Sequence, residues 1–308
     1  MTDLSILIPA YDEAESLEPL HAELTAVLDA LELEWEIIYI DDGSRDGTAD
    51  VLDRISEQSS NVVVKTHPRN LGKSAVYMTG FQAAEGQTLL TLDGDGQDDP
   101  AEIPKLLERL EQDVDLVVGW KQGRFENEPG KALPSQVYNG LKNVMFGLHL
   151  HDSNCGFRAM KRKVAESLDL YGDLYRFLPE LAHLSGYRVA EVPVNHRPRH
   201  HGVSKYGPRR FWTGLLDLLA VRFVTGYRHK PLHFFGTAGL LPVVLGGGLE
   251  IYVLIMKLAG DTFREHMAAM IVGVMLILLG AQLISIGLIG EMIRAIHGRR
   301  DDRPGASR

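Results

Sequence analysis

Four aspartates and a glutamine stand within Asp93-Gly94-Asp95-Gly96-Gln97-Asp98-Asp99, directly behind the apolar run Leu89 to Leu92. Carboxylates packed this closely repel one another unless positive charge sits among them. A divalent cation would supply it. Asp93 and Asp95, two apart at a strand end, would offer one carboxylate to a cation and another to a ribose or the same cation, and Gln97 adds a neutral oxygen. Hard oxygen donors of this kind suit magnesium or manganese bridging a diphosphate. Spacing removes two competitors. An EF-hand loop starting at Asp93 needs glycine sixth and glutamate twelfth, where this chain has Asp98 and Pro104. A phosphatase with an aspartyl nucleophile carries its D-x-D on the first strand, and here the motif follows the fourth apolar run. A plain acidic turn is the remaining alternative. Asp98 and Asp99 read as caps of the helix that Pro100 begins.

The elements that must hold these groups follow from hydrophobic patterning. LSILIPA, WEIIYID, NVVVKTH, TLLTLD and DLVVGW are short runs rich in Ile, Val and Leu, separated by helical patterns such as SLEPLHAELTAVLDALE and GTADVLDRISEQ. This alternation predicts an α/β fold with a mostly parallel sheet and helices on both faces. Ligands of such sheets bind beyond the carboxyl ends of the strands. The first strand ends in Pro9-Ala10-Tyr11-Asp12-Glu13 and the second in Asp41-Asp42-Gly43-Ser44, with Asp46-Gly47-Thr48 opening a helix. The third leads to Asn70-Leu71-Gly72-Lys73. Together the four ends describe a crevice for a base and ribose, with a diphosphate near a metal and Lys73. No G-x-x-x-x-G-K-[ST] loop and no G-x-G-x-x-G follows the first strand, so neither a P-loop ATPase nor a Rossmann dinucleotide site is supported.

Bulk properties bound the partners. A net charge of -9 over 308 residues argues against a nucleic-acid binder. One cysteine, Cys155, forbids an intramolecular disulfide and fits a reducing compartment. The opening MTDLSILIPAY reads as a strand without a basic region or cleavage site, so the first domain is expected in the cytosol. Two long apolar stretches, Leu232 to Met256 and Met267 to Ile289, each suffice to cross a hydrocarbon core, which takes about 20 residues. Arg222, Arg228 and Lys230 precede the first, and Arg294, Arg299 and Arg300 follow the second. Basic flanks mark the cytoplasmic side, so both termini are expected inside and the hairpin tip outside. Glu250 interrupts the first stretch, either as an intramembrane functional group or close enough to the outer interface to reach water.

SILIPAYDEAESL, IIYIDDGSRDGT, HPRNLGKSAVYMTGF and TLDGDGQDDPAEIPKLLE together resemble the inverting glycosyltransferase family 2, of GT-A fold. The resemblance is closest to its polyprenyl-phosphate glycosyltransferases, and it extends through HDSNCGFRAMKR and VPVNHRPRHHGVSKYG to the paired apolar stretches. DGDGQ carries glycines where such proteins often have alanine and leucine, with the acidic pair and glutamine kept. The resemblance implies that Pro9, Tyr11, Glu13, Asp42, Lys73 and Asp93 line the nucleotide sugar. Asp93, Asp95 and Gln97 would hold Mg2+ or Mn2+, and Asp152, Asp95 and Arg158 would serve catalysis. Arg124, Arg158, Arg197, Arg199 and Lys205 would meet phosphates. It further implies a nucleotide-sugar donor of UDP-glucose or GDP-mannose type, a polyprenyl-phosphate acceptor, and a place in the cytoplasmic membrane, and it allows a homo-oligomer.

The resulting layout is a GT-A domain over residues 1–230, transmembrane helices over 231–295 and a basic tail over 296–308. Interfacial helices are expected near 133–150 and 209–226, with core packing as the alternative. His196, His200 and His201 invite a zinc reading, but Pro198 breaks the helix that would align the first two. Two rival functions stay open: a processive polysaccharide synthase, disfavoured by the lack of a Q-x-x-R-W segment, and an inactive membrane scaffold.

Overall fold

The computed structural model describes residues 2–121, 140–195, 197, 218, 221 and 231–301. The chain divides into two units, Met1–Val221 and Arg222–Arg308. In the first, strands β1 (Leu4–Ala10), β2 (Trp35–Asp41), β3 (Val62–Thr66), β4 (Thr88–Thr91), β5 (Leu116–Lys121), β6 (Arg158–Lys161) and β7 (Val189–Val194) join in the order β3-β2-β1-β4-β6-β5-β7. The five apolar runs seen in the sequence are the first five strands. β6 and β7 were not anticipated, and β6 alone runs antiparallel, between β4 and β5. RAMK has too few residues and too much charge to announce itself as a strand; pairing on both edges makes it one.

Helices of this unit among the described residues include α1 (Ala14–Asp29), α2 (Thr48–Gln58), α3 (Lys73–Ala83), α4 (Ile103–Glu111), α5 (Arg162–Ser167) and α6 (Leu178–Leu184). Leu17, Leu20, Leu24 and Leu28 recur at helical spacing and bury one face of α1. Leu17 and Ile8 converge on Gly94, whereas Gly80 of α3 lies against Leu7 and Ile40. Successive β1 residues point to opposite faces, so α1 and α3 cover opposite sides of the sheet.

Register sets the site. Ala10 pairs with Asp41, Asp41 with Thr66, and Leu7 with Thr91. The polar segments after β1 to β4 therefore emerge along one edge. Because β6 is reversed, its first residue Arg158 faces Thr91 and Val118, which brings the 152–157 loop to that same edge.

Among the residues read as interfacial helices, 140–146 is helical, with Lys142 and Phe146 buried. Leu141 and Val144 are exposed, Val144 by 81%. Of 209–226 only Leu218 and Val221 are described, and both pack with Phe146 and Phe177 in a small second core. At those two positions core packing holds.

The second unit is a helical hairpin of α7 (Pro231–Leu258) and α8 (Met267–Asp301). Both helices are long and apolar enough to cross a membrane. Leu241, Val244, Ile251, Met275 and Leu278 are among many large apolar side chains left exposed, a surface suited to hydrocarbon rather than water. Gly239 and Gly246 on α7, and Gly273, Gly280 and Gly287 on α8, recur every seven residues. A Cβ on Gly280 would stand 2.4 Å from the Gly239 carbonyl oxygen, and one on Gly246 2.5 Å from that of Gly273. The backbones meet directly along this seam, as small residues permit in lipid. Glu250 turns one carboxylate oxygen into the seam, 2.4 Å from where a Gly273 Cβ would be, and that oxygen has no hydrogen-bond partner among the described residues.

Gly280→Leu is expected to force the helices apart and destabilise the hairpin by about 2 kcal/mol, the usual scale of overpacking. Gly247→Leu, at a position with nothing within 4 Å, should be neutral. Thermal melting of the two proteins in the same detergent checks the contrast.

Candidate active site

The first two strand ends are laced by backbone donors. Asp12 adopts φ 56°; its N–H donates to Ser44 Oγ at 3.0 Å, and its carboxylate accepts from Arg45 N–H at 2.8 Å. Glu13 N–H donates to Thr48 Oγ1 at 2.9 Å, and Asp46 accepts from the N–H groups of Thr48 and Ala14 at 2.9 and 3.3 Å. Pro9, Tyr11 and Glu13 are thereby held half-buried at these strand ends.

Asp42 serves the third loop. It is buried, and its oxygens accept from Leu71 N–H and Gly72 N–H, each at 2.9 Å, and meet His67 Nδ1 at 2.8 Å. His67 Nε2 reaches Thr79 Oγ1 at 2.9 Å. Asp42, expected to line the nucleotide, therefore also clamps the loop that aims Lys73. Gly43 makes the close approach possible: it has φ 73°, and a Cβ there would lie 2.6 Å from the Arg69 backbone.

Lys73, at the start of α3, meets Asp93 Oδ1 at 2.5 Å. Burial opposes both charges, but the pair prevails: Lys73 rises above its ordinary value, and Lys73, Lys121 and Arg158 draw Asp93 down to about 2. The loop carrying Asp152 passes close by, because a Cβ on Gly156 would stand 2.6 Å from Asp93 Oδ1. Thr91 Oγ1 donates to the Gly156 carbonyl at 2.6 Å, and Cys155 N–H closes a turn onto the Asp152 carbonyl at 3.3 Å.

Asp98 corrects the sequence reading. Asp99 does cap the turn beginning at Pro100, accepting from Ala101 N–H at 3.1 Å. Asp98 instead is fully buried, with Lys121 Nζ 2.7 Å from its Oδ1. That contact is an ion pair outside hydrogen-bonding geometry, while Oδ2 accepts from Asp93 N–H at 3.4 Å. Burial pushes the Asp98 carboxyl up against the pull of Lys121. No sequence spacing signalled this partner, since Lys121 comes from β5.

Arg158 is also interior, 1% exposed, donating to the Tyr175 and Ser153 carbonyls at 3.2 and 3.3 Å. Its charge bears on Asp93, but it does not open onto the crevice as a phosphate clamp would. Arg197 is engaged as well, by Glu23 at 2.5 Å and Asp99 at 2.8 Å, and its N–H donates to the Gln97 carbonyl at 2.9 Å. Arg124, Arg199 and Lys205, like His196, His200 and His201, lie outside the described residues.

The donor set fits a hard divalent cation. Asp95 is half-exposed, and one of its oxygens accepts from Gln97 N–H at 3.2 Å. Gln97 donates Nε2 to the Arg197 carbonyl at 3.4 Å, which leaves its Oε1 as the atom suited to a cation. Asp93 is paired with Lys73.

The fold of the first unit is shared with solved structures. Glucosyl-3-phosphoglycerate synthase from Mycobacterium tuberculosis, solved with Mn2+, UDP-glucose and phosphoglyceric acid, superposes with a TM-score of 0.55 over 73% of this chain and 79% of that one, at 16% identity. The class is thus a GT-A-type α/β transferase fold. The glycosyl transferase family 2 model matches residues 5–169, and the chain belongs to that family; it is a glycosyltransferase. Dodecaprenyl-phosphate galacturonate synthase of Rhizobium johnstonii is 33% identical over 98% of this chain and 90% of its own length. Undecaprenyl-phosphate 4-deoxy-4-formamido-L-arabinose transferase of Salmonella paratyphi A is 32% identical over 98% and 91%.

Lys73→Met should cost about 2 kcal/mol at pH 7 by stranding the Asp93 charge. In the parent, Asp93 has a folded pKa of about 2 against an ordinary 3.8, so its contribution is present above 3.8 and lost as pH falls through 2. In the variant the Lys73 charge that lowers this pKa is gone, so less of the contribution remains to be lost on acidification. The gap between the two urea midpoints should hold from pH 7 to about pH 4 and narrow as pH falls from about 4 toward 2.

Proposed function

We propose that this glycosyltransferase moves one sugar from a nucleoside diphosphate sugar to the phosphate of a membrane-embedded polyprenyl monophosphate, with inversion at the anomeric carbon. One observation carries the reading: similarity runs through 98% of the chain, apolar helices included, to two relatives whose names differ in sugar but share a polyprenyl-phosphate acceptor. Those names favour a uronic acid or a 4-substituted arabinose over the glucose or mannose expected from the sequence. The hairpin would cross the cytoplasmic membrane with both termini inside.

The chemistry of the acceptor explains why the crevice needs charge more than a base. A phosphate monoester has its second pKa near 6, so its attacking oxygen is largely ionised at pH 7. Alignment and neutralisation become the main tasks. Tyr11, Glu13 and the Asp42-clamped loop would hold the nucleoside. Lys73, fixed by Asp93, would stand against the diphosphate. Asp95 and Gln97, with Asp93 beside them, would hold Mg2+ or Mn2+, which as a Lewis acid would take up charge on the departing nucleoside diphosphate. Asp152 would orient the acceptor or balance positive charge developing on the sugar. Arg124, Arg199 and Lys205 remain the candidates for gripping the lipid phosphate, whereas Arg197 and Arg158 would act by bracing loops.

The test incubates purified protein with polyprenyl phosphate, magnesium or manganese, and a panel of UDP- and GDP-linked sugars that includes galacturonate, 4-formamido-arabinose, glucose and mannose. One donor is expected to yield a singly glycosylated lipid, and Asp95→Ala should lower that turnover at least about hundredfold. Polymer formation, absence of product from every donor, or full turnover by the Asp95 variant would each defeat the proposal.

A further inference from the structure

Lys142 and Glu180 form an ion pair sealed inside the first unit, 1% and 3% exposed, with Lys142 Nζ 2.9 Å from Glu180 Oε1. Lys142 comes from the 140–146 helical segment and Glu180 from the first turn of α6. The ammonium also donates to Ser153 Oγ at 2.7 Å and to the Arg176 carbonyl at 3.1 Å, and it lies 4.7 Å from the Phe177 ring centre. Glu180 Oε2 is buried with no hydrogen-bond partner among the described residues. Burial lowers the Lys142 pKa against the pull of Glu180, with Arg158 and Asp152 as the other charges facing it.

Stability is a poor reason for such a pair. Desolvating two charges commonly costs more than their attraction returns, and well-packed apolar replacements are often neutral or stabilising. What the pair touches is more informative. Ser153 directly follows Asp152, and it is gripped twice: Lys142 takes its hydroxyl, and buried Arg158 donates to its carbonyl at 3.3 Å. The turn between them closes through Cys155 N–H onto the Asp152 carbonyl. Ser153, the residue next to Asp152 in this turn, is thus held by two buried charges, one on its hydroxyl and one on its carbonyl.

We propose that Lys142 and Glu180 are positioning residues for Asp152, a buried pair whose contribution is to turnover rather than to folding. The inference rests on reading Asp152 as the acceptor-side carboxylate. A carboxylate displaced by about 1 Å from a productive geometry can lose up to hundredfold in rate, and a turn released from Lys142 has that freedom.

The experiment uses the full chain in detergent with the polyprenyl phosphate and whichever donor gives product. Lys142→Met/Glu180→Met should melt no lower than the parent and keep its KM for the donor, while kcat falls about tenfold. Ser153→Ala, which removes only the hydroxyl that Lys142 reaches, should lose kcat several-fold with unchanged melting, and it decides the matter if the double variant fails to fold. Asp152→Asn should then cost much less in the double-Met background than in the parent, a non-additivity that a merely structural pair would not produce. Parental kcat in both variants, or an Asp152→Asn effect of equal size in both backgrounds, overturns the positioning pair alone. A parent that makes no lipid-linked product overturns the acceptor reading and this role of Asp152 with it.

Discussion

Two carboxylates, Asp93 and Asp98, stand at the end of β4 among Lys73, Lys121 and Arg158, and Asp98 and Arg158 are almost fully withdrawn from water. Charges in such a place persist only when each is matched at short range. This requirement reaches into most of the domain. Lys73 must arrive from the start of α3, so the loop before α3 is clamped by Asp42 and His67. Lys121 must arrive from β5, and Arg158 from a strand reversed between β4 and β5. The antiparallel strand, which looks like an irregularity of the sheet, is what delivers the interior arginine and the Asp152 loop to the acidic edge.

Close approach is the second condition. Gly156 lets the 152–157 loop lie on Asp93, Gly43 lets the second strand end touch the Arg69 backbone, and Gly94 sits under the Pro9 carbonyl. A side chain at any of these would separate loops whose polar groups depend on contact. The hairpin uses the same device for another purpose. Its glycine seam brings two backbones together where water is absent and van der Waals packing replaces the hydrophobic drive, leaving the large apolar side chains to face outward.

The functional reading draws on both units separately. The proposed site at the acidic edge would handle a diphosphate, and the hairpin leaves a surface suited to hydrocarbon. An acceptor that is itself a phosphate on an apolar chain would satisfy both. Of the arginines first assigned to phosphate, Arg158 and Arg197 are engaged by carbonyls and carboxylates of the scaffold.

Much was legible in the sequence because it is local. Five strands, the helix stripe of Leu17 to Leu28, the cap at Asp99 and the two apolar helices all follow from periodicity or from neighbours within a few residues. The polar strand ends followed too, since parallel sheets gather their carboxyl termini on one edge. Pairings across long stretches of chain did not: Asp98 with Lys121, Lys73 with Asp93, Lys142 with Glu180, and a short charged strand held only by its two neighbours. A carboxylate looks the same in sequence whether it caps a helix, meets a cation or is sealed beside a lysine. Desolvation separates these fates, and desolvation belongs to the folded arrangement rather than to any segment of the chain.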